Sequence, residues 1–93
     1  MDENETLELG SFCEGLLEKE AFTTIVSHFE QQCFLHWAST DAKNIKEREA
    51  IFNKMGALRD FLGHLRAYVA QKDDILAKQQ ELSEEDAQEG TID

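Results

Sequence analysis

Ile51, Met55, Leu58, Leu62, Leu65 and Val69 follow one another at steps of four, three, four, three and four. Such a repeat predicts a helix that packs lengthwise against another helix. The pattern supports a helix over about 44–78 and thins out after Gln71. With Met55, Leu62 and Val69 at heptad position a, Ile51, Leu58 and Leu65 fall at d. Position g then holds Lys54, Phe61, Tyr68 and Ile75, and position e holds Phe52, Arg59, Arg66 and Asp73. This apolar face is wider than one partner helix needs. Phe61, Tyr68 and Ile75 call for a further surface, either a short first helix or a second subunit.

A second stripe precedes it. Phe22, Ile25, Val26, Phe29, Cys33 and Trp37 recur at helical spacing, with Phe34 and Leu35 widening the stripe near its end. They predict a helix over 20–38, although the β-branched run Thr23-Thr24-Ile25-Val26 has poor helix propensity. Upstream, Phe12, Cys13, Leu16 and Leu17 share one face of a shorter helix over 9–19, weakened by Gly10 and Gly15. Ser39-Thr40-Asp41-Ala42-Lys43 reads as the connection, with Asn44 and Glu47 spaced as a capping box and Asp41 as the alternative cap. So short a loop makes its flanking helices antiparallel neighbours. The expected fold is all-α: an antiparallel helical hairpin with a short N-terminal helix, paired into a dimeric bundle. Residues 1–8 are expected as a flexible acidic N-terminus, 9–82 as the helical domain and 83–93 as a mobile acidic tail.

Composition sharpens this picture. The 93 residues contain no proline, as a helical chain prefers. A domain of this size is marginal without a staple. Cys13 and Cys33 have no repeated spacing, and no basic start leads into an apolar run, so both are read as reduced thiols in a cytosol-like compartment. No apolar run approaches the roughly 18 residues of a membrane span. Oligomerisation is the staple that remains. The net charge of −11 is unevenly spread: residues 1–20 carry −6, residues 71–93 carry −6, and the middle carries +1. A chain with no basic face is not expected to bind nucleic acid directly. Acidic ends fit solubility and steering towards basic partners.

Candidate chemistry is sparse. Cys33 and His36 stand three apart and, with Cys13 and His64, are the right residue types for zinc. The Cys-x-x-Cys pairs and paired histidines of zinc sites are missing. A cysteine on the apolar stripe is read as a small hydrophobe. No oxyanion hole or orienting third group accompanies a Cys33/His36 nucleophile. No phosphate loop or dinucleotide fingerprint occurs. The reading is a protein without catalytic, cofactor or metal residues. Gly56, Gly63 and Ala70 recur at position b beside Ala50, Ala57 and His64; this strip is either an exposed helix face or a groove for close helix approach. The residues expected at an interface are Trp37, Phe52, Arg59, Phe61, Arg66, Tyr68 and Ile75. Arg48 is placed to stack on Trp37 or to pair with Glu47 or Glu49 across a dimer.

Leu-Leu-Glu-Lys-Glu-Ala-Phe at 16–22, Trp37 before a Ser/Thr/Asp turn, Arg48-Glu49-Ala50, and Ala57-Leu58-Arg59-Asp60 leading to His64-Leu65-Arg66 resemble small helical accessory proteins of tailed bacteriophages and prophages. The resemblance covers about half the chain and implies a virion-assembly or packaging accessory, located in the host cytoplasm or the virion. It carries over no functional residue. The expected partners are a second copy of the chain and another protein, without a membrane. A small acidic inhibitor of a host enzyme or nucleic-acid-handling complex is the alternative.

Overall fold

The computed structural model describes residues 1–90, with side chains through 85. Among these the chain is all-α: α1 spans Glu3–Glu18, α2 spans Glu20–Ser39 and α3 spans Ile45–Gly90.

α1 begins six residues ahead of the expected start at 9, so most of the stretch expected as a flexible N-terminus is helical. The cause is a cap. Asp2 Oδ1 accepts the Glu5 N–H at 2.8 Å, the same spacing as Asn44 and Glu47. Thr6, Gly10 and Cys13 follow at steps of four and three and are all buried, and the Thr6 hydroxyl donates to Asp2 O. α3 likewise runs past the expected end at 78. No glycine or proline interrupts 64–89, and Ala, Lys, Gln, Glu and Leu dominate its last turns. Residues 83–90 of the expected acidic tail therefore continue the helix, and 91–93 lie outside the described residues.

α1 and α2 are separated by Lys19 alone, which is extended at φ −73, ψ 123. Nothing in a lysine forces that conformation. The apolar rows do. In one unbroken helix, Gly10 and Cys13 would lie about 160° around the axis from Val26 and Cys33, at 100° per residue. A break between them lets both rows be buried.

The connection after α2 is built from local hydrogen bonds. Ser39 Oγ donates to His36 O at 2.9 Å, and Thr40 N donates to Trp37 O at 3.2 Å. Asp41 Oδ1 accepts Lys43 N–H inside the loop. Asn44 Oδ1 accepts Glu47 N–H at 3.3 Å while Asn44 Nδ2 donates to Glu47 Oε2 at 2.7 Å. Of the two expected caps, Asn44 is the one that starts α3. Asn44→Ala is expected to lower stability by about 1 kcal/mol and Asp41→Ala by less, measured by thermal melts at one protein concentration. An equal or reversed order would move the cap to Asp41.

The chain divides into two units, residues 1–14 with 65–93 and residues 15–64. In the second, Cys33, Ile51 and Leu62 are buried, with Met55 and Leu58 half-buried. These α3 positions are the a/d seam read from the sequence. In the first unit the row changes. Gly10 sits against Tyr68 O and the Lys72 side chain, and Gln79 Nε2 donates to Glu3 Oε1 at 3.0 Å. Leu65, Tyr68, Lys72, Ile75 and Gln79 step by three, four, three and four, so α1 meets positions d and g.

Candidate interaction surface

One side of the 15–64 unit is apolar and open. Phe34, Leu35 and Met55 line a groove of ≈ 490 Å³ with Glu30 and Gln31 at its edge. Phe34 is 60% exposed and Leu35 65%. Phe52 lies one turn from Met55 along α3 and is 71% exposed. Ile45, seven residues before Phe52, is also exposed. Isolated exposed apolar side chains are ordinary, but a contiguous group marks a contact surface.

Trp37 and Arg48 sit beside the loop. The Arg48 guanidinium carbon is 4.4 Å from the Trp37 ring centroid, a cation–π contact. Its Nη2 donates to Thr40 O at 3.2 Å. Within the chain, the stack on Trp37 expected for Arg48 is formed. The stack ties the end of α2 to the first turn of α3, while Trp37 stays 39% exposed.

The other expected interface residues fall into three groups. Arg59 and Arg66 are exposed and continue the heptad row of Phe52. Phe61 is exposed on a different side of α3, one position round from Leu62. Tyr68 and Ile75 are half-buried in the row that meets α1. Phe34 and Leu35 were legible only as a widening of the α2 stripe, and the structure makes them the floor of the open groove.

A smaller groove of ≈ 260 Å³ is lined by Phe29, Gln32, Cys33, His36 and Lys54. Cys33 is buried at its base, and His36 Nε2 lies 2.9 Å from Glu47 Oε1. Cys13 is buried in the other unit, and both thiols are free. Among the described residues no three His, Cys, Asp or Glu side chains gather as metal ligands would. A Cβ added at Gly56 or Gly63 meets nothing within 4 Å, so among the described residues no helix packs against the strip at these two glycines.

Sequence reasoning missed Lys72. It occupies the next d position after Leu65, yet it is only 7% exposed. Its ammonium pairs with Glu14 and lies 3.8 Å from Asp73. Continuing the heptad register past Gln71 would have flagged it. Among the described residues no helix is long and apolar enough to cross a membrane. No known protein family, curated protein or solved structure matches the chain.

Proposed function

We propose that the chain is a non-enzymatic helical interaction protein, an assembly accessory of the kind its resemblance to small bacteriophage proteins implies. In this reading α2 and the first half of α3 form an antiparallel hairpin that presents an apolar side to other proteins, and the chain works as a homo-oligomer. The observation that carries it is the imbalance of its apolar residues. Among the described residues five apolar side chains are buried and thirteen large ones are exposed. No disulfide or metal cluster makes up the deficit there. So small a core is marginal, and protein contact is an ordinary remedy.

The discriminating test removes residues 83–93 and measures association with a partner captured from the native cell. An assembly protein acting through its helical side keeps its affinity within about threefold and keeps its salt dependence. A charge-steered inhibitor loses affinity and shows a flatter salt response, because screening acts on exposed charge. The second result would replace the assembly reading by inhibition through the acidic ends.

A further inference from the structure

The open groove of the 15–64 unit points to its occupant. We propose that the Phe34–Leu35–Met55–Phe52 side of the 15–64 unit is a two-fold self-association surface, filled by the same side of a second copy. The inference rests on the reading of the chain as an interaction protein and goes further by naming the surface and what covers it.

Three observations support a second copy over an unrelated partner. The first is the shortfall of the core. Among the described residues of the 15–64 unit, Cys33, Ile51 and Leu62 are the buried apolar side chains, while Phe34, Leu35 and Phe52 are 60%, 65% and 71% exposed. A partner of the same chain is available wherever the chain is.

The second is charge. Residues 1–14 and 65–93 carry −10 together, and residues 15–64 carry only −1. Two copies repel through the first unit and are nearly neutral to each other through the second.

The third is self-complementarity. A two-fold interface must offer both halves of each contact on one surface. Phe52 is exposed one helical turn before Met55, which lines a groove with Phe34 and Leu35. The Phe52 of one copy can enter the groove of the other, and the reverse. Charges on this side are also mixed, with Glu30 on the α2 edge and Arg59 one turn beyond Met55. Two-fold pairing can bring Glu30 of one copy against Arg59 of the other.

The experiment is sedimentation equilibrium of the full chain from roughly 1 to 300 µM, with helicity followed by circular dichroism. Wild type is expected to dimerise. The double variant Phe34→Ser/Phe52→Ser should weaken the dimer about 30-fold or more while keeping its helix content, since both side chains are exposed within the chain. Phe61→Ser, an equally exposed aromatic elsewhere on α3, should shift the constant less than about threefold. Raising salt should tighten the dimer by screening the acidic units. A dimer that survives the double variant, or that Phe61→Ser dissolves instead, overturns this surface and leaves the interaction reading intact. A wild-type chain that stays monomeric throughout and melts cooperatively overturns self-association itself. Loss of helicity in the double variant would place the two phenylalanines in the fold of the chain and likewise overturn the proposal.

Discussion

Gly10→Ala lowers stability by about 2–3 kcal/mol, although alanine is the better helix former. Gly10 lies in the middle of α1, where glycine ordinarily costs about 1 kcal/mol relative to alanine. A Cβ there would collide with the Lys72 Cβ and stand 2.7 Å from the Tyr68 carbonyl oxygen. The first is the base of a side chain and the second is backbone, so neither can swing aside. The two helices must separate, and with them go the half-buried Tyr68 and Ile75 and the Lys72–Glu14 pair. The same substitution at Gly15, Gly56 or Gly63 meets no atom within 4 Å. There it is expected to stabilise by about 0.5–1 kcal/mol at each site. Thermal melts at one protein concentration distinguish the cases, because association would otherwise shift the midpoint. For a domain of this size Gly10→Ala should lower the midpoint by roughly 10 °C or more. A Gly10→Ala chain as stable as wild type would mean that α1 does not approach α3 this closely in solution.

Lys72→Glu is expected to be the most damaging single charge change, at about 3–5 kcal/mol. Lys72 is buried along its stem, and its ammonium answers two carboxylates, Glu14 and Asp73. Reversing the sign crowds three carboxylates into a unit that already carries −10. Glu14→Gln is milder, at about 1–2 kcal/mol, because Glu14 is partly exposed while the lysine it leaves behind is not. Lys72→Met should lie within about 1 kcal/mol of wild type, since a straight apolar chain suits a d position and removes the need for a counter-charge. The charge-swapped pair Lys72→Glu/Glu14→Lys should recover part of the loss. Urea unfolding gives the ranking. If Lys72→Met proves as damaging as Lys72→Glu, the ion pair outweighs the packing and the expected ranking fails.

The helices were legible in the residues because periodicity is a local property. The a/d seam of Ile51, Met55, Leu58 and Leu62 and the stripe of Phe22, Val26 and Cys33 can be read by counting. The Asp2–Glu5 cap was equally local and was readable by the rule applied to Asn44 and Glu47. Other features depend on atoms far apart in the chain. Gly10 looked like a weak point in a short helix. Only the approach of α3 shows that its missing side chain is the requirement. Lys72 was not singled out in the sequence, and only the fold brings Glu14 to it from 58 residues away.

The wide apolar face on α3 is where the two kinds of knowledge divide. The sequence by itself determined that α1, α2 and α3 would be helices, that α3 would carry more apolar surface than one partner can cover, and that acid would gather at the ends. Each of these follows from spacing and residue type along one strand of chain. Only the tertiary structure decided which part of the excess is taken up inside the chain. Tyr68 and Ile75 lie in the row that meets α1, while Phe34 and Phe52 stay exposed. That choice depends on where a second helix lies in space, and periodicity along one helix carries no information about it.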